Sequence, residues 1–186
     1  IDGEAEGDQA YLRSLSSDGS IVAIGAPSND GNGDDSGHVR VFAWDGSSWL
    51  QRGEDIDGEA EGDQGSLPSL SSDGSVVAIA AAFNDGNGDD SGHVRIYSWD
   101  GNSWTQLGED IDGEAEGDAA LTRISADGSV LAIGARGNDS NGVDSGHVRV
   151  YRLNNSRDAF PLDATESIDT DFDGMGNNAD TDDDGD

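Results

Sequence analysis

An acidic, glycine-rich loop that occurs three times carries most of the side chains able to bind a cation. The stretch NDGNGDDSGHVRVFAW at 29–44 returns almost unchanged at 84–99 and, with more substitutions, at 138–153. Calcium prefers carboxylate, amide and carbonyl oxygens, so the Asp and Asn positions kept in every copy are candidate ligands. They are Asp30, Asn32, Asp35, Asp85, Asn87, Asp90, Asp139, Asn141 and Asp144. Two alternatives stay open, since these residue types also form ordinary turns, and Asp35 and its equivalents could accept backbone hydrogen bonds that only shape the loop.

A second pattern suited to calcium lies in the last residues of the sequence. Aspartates alternate around a glycine in the spacing of a DxDxDG loop, in which Gly174 permits the sharp turn at the sixth position. The twelfth position is aspartate, where an EF-hand has glutamate, and a second such loop begins there. The predicted ligands are Asp169, Asp171, Asp173, the carbonyl of Met175, Asp180, Asp182 and Asp184. The alternative is an acidic tail without fixed structure.

Each repeat opens with the octet IDGEAEGD, identical at 1–8, 56–63 and 111–118. Its acidic residues alternate with small ones, so an extended conformation would place all the carboxylates on one side. Like charges on one face need open water or a counterion. The octet is therefore either a solvated connector or a further cation site formed by Asp2, Glu4, Glu6 and Asp8.

Histidine occurs once per repeat, as His38, His93 and His147, each directly after Ser-Gly. We expect a histidine at the start of a strand with a satisfied hydrogen bond rather than a transition-metal site, because the three are far apart in sequence. The tryptophans, at regular positions in the first two repeats, should pack between neighbouring repeats. No nucleophile with a plausible base and no phosphate-binding motif stands out, so we expect that the chain is not an enzyme.

The net charge of the chain limits the classes of partner that it can bind. The chain has 40 acidic residues against 9 basic ones, for a formal charge of -31. Such a surface attracts cations and repels nucleic acid and anionic membranes. The sequence has no cysteine and no apolar run of the roughly 18 residues that a membrane-spanning helix needs. We expect a secreted, extracellular protein at a cell surface.

The elements that must position these residues are short β-strands. A weakly patterned first strand (10–15, 65–70, 119–124) leads through an Asp-Gly turn into an apolar second strand (21–26, 76–81, 130–135), expected to be central and covered on both faces. The acidic loop then precedes a third, alternating strand that begins at each histidine, and a fourth strand follows at 49–53 and 104–108. Four antiparallel strands per repeat of about 55 residues are typical of propeller blades.

The strand VAIGAP at 22–27, the acidic loop and GHVRVF at 37–42 together resemble the FG-GAP repeats of integrin-alpha-type β-propellers. In that family an acidic loop before the VAIGAP-like strand holds calcium, whereas this chain has only SSDG there. The aspartate-rich segment 158–186 resembles the thrombospondin type 3 calcium repeats of bacterial surface proteins. The predicted organisation is all-β: repeats at 1–55, 56–110 and 111–157, the last incomplete, and an irregular acidic calcium-binding tail at 158–186.

The predicted function is a calcium-stabilised structural or adhesive surface protein that self-associates into an oligomer or fibre. Propellers have about 4 to 8 blades, so three blades imply further repeats in a longer chain or association between copies. The alternative is a glycan-binding or protein-binding propeller module of a larger secreted protein. Calcium is the expected cofactor, with no nucleic-acid partner and no membrane insertion.

Overall fold

A computed structural model describes residues 1–153, and every regular element within them is a β-strand. The predicted tail ligands from Asp169 to Asp184 lie outside the described residues. The first repeat contributes β1 (Leu12–Leu15), β2 (Ile21–Ala26), β3 (His38–Trp44) and β4 (Trp49–Gln51). The second contributes β5 (Ile56–Asp57), β6 (Leu67–Leu70), β7 (Val76–Ala81), β8 (His93–Trp99) and β9 (Trp104–Gln106). The third contributes β10 (Ile111–Asp112), β11 (Leu121–Ile124), β12 (Val130–Ala135) and β13 (His147–Arg152).

The strands form three antiparallel sheets, one for each repeat. The sheets contain β1-β2-β3-β4, then β6-β7-β8-β9, and then β11-β12-β13. The all-β class, the four-stranded repeat and the shorter third sheet are confirmed for the described residues. The apolar second strand is central, as predicted, because it pairs on both sides.

A fifth short strand in each of the first two sheets was not predicted. Ile56 pairs with Val39, so β5 at the start of the second octet joins the sheet of the first repeat. Likewise Ile111 pairs with Val94, so β10 joins the second sheet. The first sheet therefore extends past residue 55, the predicted boundary between the first two repeats.

The Asp-Gly turns between first and second strands are built as the sequence predicts. Gly19 adopts a φ of +72°, which glycine tolerates without a steric cost. The Asp18 carboxylate accepts hydrogen bonds from the Ser20 backbone N–H at 2.9 Å and from the Ser16 hydroxyl at 2.7 Å. These bonds stabilise the charged carboxylate and lower the pKa of Asp18 to about 2. The same turn recurs at Asp127, whose pKa is also lowered to about 2.

Neighbouring sheets stack through their first strands and turns. The backbone N–H of Ser17 donates to the Ser72 carbonyl at 2.8 Å, and the N–H of Ser72 donates to the Ala126 carbonyl at the same distance. Hydroxyl groups on the first strands accept N–H groups from the next repeat, as Ser14 Oγ does from Leu70 at 3.0 Å. Successive repeats are thus joined by hydrogen bonds as well as by apolar packing.

Tryptophan packing between repeats is confirmed for the second repeat. Trp99 and Trp104 face each other across β8 and β9 with ring centroids 5.3 Å apart. The Arg52 guanidinium, which follows the fourth strand of the first repeat, lies 4.7 Å from the Trp99 ring centroid. Trp104 Nε1 donates to the Arg52 carbonyl at 2.8 Å. The preceding repeat therefore contacts this aromatic pair through a cation–π interaction and a hydrogen bond.

The two outer sheets expose faces that the middle sheet buries. Val94 and Ile96 on β8 are 0% and 1% exposed, whereas their counterparts Val148 and Val150 on β13 are 67% and 68% exposed. A neighbouring repeat covers these positions in the middle of the array.

Candidate metal centres

The acidic loop of each repeat is shaped by its own aspartate and asparagine side chains. Asp30 Oδ1 accepts the backbone N–H of Asp35 at 2.9 Å, and Asn29 Oδ1 accepts that of Gly31 at 2.9 Å. Asp35 itself has a φ of +52° and an exposed side chain. The same bonds join Asp85 to Asp90 and Asp139 to Asp144. Loop shaping by a carboxylate therefore occurs at Asp30 and its equivalents, not at Asp35 as the sequence suggested.

Asparagine in the loop reaches the following octet. Asn32 Nδ2 donates to the carbonyls of Gly58 and Glu59, each at 2.9 Å. Asn87 makes the same pair of bonds to Gly113 and Glu114, at 2.7 and 3.3 Å. These two amides therefore fasten consecutive repeats together.

Backbone hydrogen bonds complete this interlock between a loop and the next octet. The N–H groups of Gly58, Gly62 and Gly65 donate to the carbonyls of Gly37, Asp34 and Ser36 at 2.7, 2.9 and 2.8 Å. A Cβ on Gly58 would lie 1.9 Å from the Ser36 carbonyl oxygen, so only glycine permits this approach. The loop and the octet that follows it form one structural unit.

The octet is a turn and not the extended segment assumed from its alternating acids. Residues 4–7 bend and turn, and Asp8 is only 4% exposed. The carboxylate of Asp8 accepts the backbone N–H of Ala5 at 3.0 Å, so it closes the turn. The prediction of one carboxylate face over Asp2, Glu4, Glu6 and Asp8 is therefore wrong in its geometry, because glycine and the buried aspartate favour a turn over a strand.

Some carboxylates of the loop and octet do converge in a cleft of about 430 Å³. Glu6 of the first octet lies there with Asp34 and Asp35 of the first acidic loop, together with Asp30. Its ionisable donors are all carboxylates, which suits a hard cation such as calcium.

A different cluster forms where each histidine begins its strand. His93 is 2% exposed, and its Nδ1 lies 3.7 Å from Glu59 Oε2 and 3.7 Å from Asp110 Oδ2. In the first repeat His38 Nδ1 lies 3.8 Å from Glu4 Oε2 and 3.7 Å from Asp55 Oδ2. In the third repeat His147 faces Glu114 at 3.6 Å, and the other nearby carboxylate is Asp118.

The glutamate of each cluster also contacts an arginine two residues after the histidine. Arg40 Nη1 lies 3.2 Å from Glu4 Oε1, and Arg95 Nη1 lies 3.6 Å from Glu59 Oε1. The other terminal nitrogen of Arg95 donates to the Asp57 carbonyl at 2.6 Å. Burial lowers the pKa of His93, and the positive charge of Arg95 adds to this effect. The imidazole therefore favours its neutral form, which can bind a metal.

Sequence reasoning placed the histidines at strand starts, which is confirmed, but missed their partners. Asp55 and Asp110 each lie 17 residues after their histidine, too far along the chain for a local motif to connect them. Antiparallel pairing of β5 with β3 brings Asp55 beside His38, and β10 does the same for Asp110. A single histidine with two carboxylates beside it can hold a metal ion, so the distance between the three histidines does not exclude a transition metal.

No protein-family model and no curated protein matches the chain. Solved structures do share its fold. A putative 6-phosphogluconolactonase from Bacteroides fragilis NCTC 9343 is 14% identical over 86% of this chain, with a TM-score of 0.56. One from Bacteroides uniformis ATCC 8492 is 16% identical over 79%, and a hypothetical selenium-binding protein from Sulfolobus tokodaii is 13% identical over 78%, both with a TM-score of 0.51.

These similarities establish the fold alone. The chain spans 38% of the length of each of these three proteins. The expectation that the chain is not an enzyme is nevertheless wrong as a general exclusion, because proteins with this fold include ones described as putative lactonases. The described residues also contain no helix long and apolar enough to cross a membrane.

Proposed function

We propose that the chain is a calcium-stabilised structural or adhesive protein of a cell surface, which self-associates through its β-repeats. The observation that carries the proposal is the carboxylate cleft between loop and octet, formed by Glu6, Asp30, Asp34 and Asp35. The loop that lines this cleft is the one that fastens each repeat to the next. Calcium there would stiffen the loop through which the first repeat contacts the second.

Electrostatics support the same proposal. A formal charge of -31 on 186 residues destabilises the compact state through self-repulsion, which bound divalent cations relieve. We include three further points in this proposal: a relationship to FG-GAP repeats, a relationship of the tail to thrombospondin type 3 repeats, and an extracellular location. All three agree with an acidic, cysteine-free chain in a calcium-rich medium.

The exposed apolar faces of the outer sheets supply the self-association surface. Val148 and Val150 at one end are exposed although a neighbouring repeat buries their counterparts. Leu15 at the other end is 57% exposed, whereas Leu70 in the second repeat is 7% exposed. End-to-end contact between copies would repeat the packing that already joins the three sheets.

Thermal unfolding and sedimentation velocity, at constant ionic strength with calcium and then with chelator, test the proposal. A site with a Kd of about 1 mM adds about 1 kcal/mol of stability at about 5 mM calcium. We expect calcium, more than magnesium, to raise the midpoint and promote assembly, and a D34N/D35N variant to lose part of this effect. Equal midpoints and an unchanged monomer in both conditions would refute calcium-dependent stabilisation and assembly.

A second candidate is a glycan-binding or protein-binding module. A cleft of about 520 Å³ between the first two repeats is lined by Trp104, Tyr97, Arg95 and Asp55 among others. An aromatic ring beside charged groups can stack on a sugar ring and bond its hydroxyls. Loss of binding to immobilised polysaccharide in a W104A variant, but not in W49A, would favour this function.

A further inference from the structure

The clusters around His38 and His93 carry an inference that does not depend on calcium. We propose that each binds a divalent transition metal of the zinc type. In the second repeat the ligands are His93 Nδ1, Glu59 Oε2 and Asp110 Oδ2; in the first they are His38 Nδ1, Glu4 Oε2 and Asp55 Oδ2.

The distances suit a shared ion better than direct hydrogen bonds. Nδ1 lies 3.7 to 3.8 Å from each facing carboxylate oxygen, beyond hydrogen-bonding range. Two ligands bound to zinc at about 2.1 Å with a tetrahedral angle are about 3.4 Å apart. A metal ion between the three donors therefore requires only a small closure.

The imidazole of each histidine in these two clusters is almost completely buried and faces two carboxylates. His38 and His93 are 1% and 2% exposed, yet the Nδ1 atom of each points at two carboxylates without hydrogen-bonding to either. Each side chain is thus almost fully buried with its Nδ1 aimed between two carboxylate oxygens, and the three donor atoms lie close enough together for one ion to join them.

Neighbouring residues hold both carboxylates with one oxygen turned toward the histidine. Arg95 contacts Oε1 of Glu59, which leaves Oε2 facing Nδ1. Gln106 Nε2 donates to Oδ1 of Asp110 at 2.7 Å, which leaves Oδ2 facing Nδ1. Metal ligands in proteins are oriented by such outer contacts.

The first repeat has the same arrangement. Arg40 contacts Oε1 of Glu4, and Gln51 Nε2 donates to Oδ1 of Asp55 at 2.6 Å. The first two repeats therefore hold the same three donors in the same orientation.

The donor set selects the class of metal. One imidazole nitrogen and two carboxylate oxygens suit zinc, cobalt, nickel or copper, whereas calcium prefers 6 to 8 oxygens. The side chains of Glu59 and Asp110 are 43% and 24% exposed, so water can reach the ion and occupy the remaining position. Three protein ligands with one open position are typical of accessible zinc centres.

The third repeat provides an internal control. Its second carboxylate is that of Asp118, whose Oδ2 already accepts the backbone N–H groups of Glu114 and Ala115 at 3.1 and 3.2 Å. His147 therefore lacks the aspartate arrangement of the other two repeats, and we expect no comparable site there.

Zinc titration of the full chain, followed by calorimetry in about 5 mM calcium to occupy hard-cation sites, tests the inference. Two zinc ions should bind with imidazole coordination, which a cobalt-loaded sample reports through its visible absorption. H93Q should reduce the number to one, H38Q/H93Q should abolish binding, and H147Q should leave it at two. Calcium-dependent stability should be the same in all these variants, which separates this test from the calcium proposal.

Substitution of a buried histidine can prevent folding, so a second variant retains all the proposed ligands. Q106A removes only the contact that orients Asp110, and it should weaken zinc binding at that site by about 10-fold to 100-fold. Absence of zinc binding to the wild type, or unchanged binding by folded H38Q/H93Q, would overturn the inference.

Discussion

Replacing Gly58 with alanine tests whether the loop–octet interlock holds neighbouring repeats together. The new Cβ would lie 1.9 Å from the Ser36 carbonyl oxygen and 2.7 Å from its carbon, and both are backbone atoms that cannot rotate away. The octet must shift, which strains the 2.7 Å hydrogen bond from Gly58 N–H to the Gly37 carbonyl. Overpacking of this kind costs about 1 to 3 kcal/mol.

The chain contains its own control for this substitution. Gly3 occupies the same octet position in the first repeat, where the nearest atom to an added Cβ would be Ala10 Cβ at 3.9 Å. Gly113 in the third octet repeats the clash, at 2.0 Å from the Ser91 carbonyl oxygen. Only Gly58 and Gly113, whose octets follow another repeat, should therefore be sensitive to replacement by alanine.

Thermal unfolding followed by circular dichroism measures the effect. For a chain of this size a loss of about 1 to 3 kcal/mol lowers the midpoint by about 2 to 12 °C. We expect G58A and G113A to fall in this range and G3A to match the wild type. If G58A and G3A unfold at the same temperature, the octet does not lie against the preceding loop as described.

Two further predictions concern the junction between the first two repeats and the hairpin turns. R52A should lose about 1 to 3 kcal/mol, because it removes the contact with Trp99 and the 2.9 Å hydrogen bond from Arg52 to the Gly74 carbonyl. Urea unfolding monitored by tryptophan fluorescence measures this loss, and a similar loss in R13A, which makes the same charge change at an exposed site, would contradict the explanation. The pKa of both Asp18 and Asp127 is lowered from 3.8 to about 2 by hydrogen bonds to the charged form, so their stabilisation is complete above pH 3.8 and is lost as the pH falls toward 2. Thermal midpoints between pH 5 and 2.5 should therefore fall less in D18N/D127N than in the wild type, and parallel curves would show that these carboxylates do not contribute.

The sequence by itself determined the repeat, the strands and the turns. Its period of about 55 residues, the valine-rich and isoleucine-rich second strand and the Asp-Gly turns are local patterns, and local patterns decide short antiparallel strands. The regular placement of the tryptophans also predicted their packing against a neighbouring repeat, which the second repeat shows, but not their pairing across two strands.

The tertiary structure decided which polar groups meet. The two-residue strands β5 and β10 are too short to show a periodic pattern, yet their pairing brings Asp55 to His38 and Asp110 to His93. The side chain of Asn32 hydrogen-bonds to a carbonyl 26 residues away. The turn in the octet buries Asp8, so its carboxylate does not lie on one exposed face with the other acids, as it would in an extended segment. Such contacts depend on how one repeat packs against the next, and no periodicity within a repeat encodes that packing.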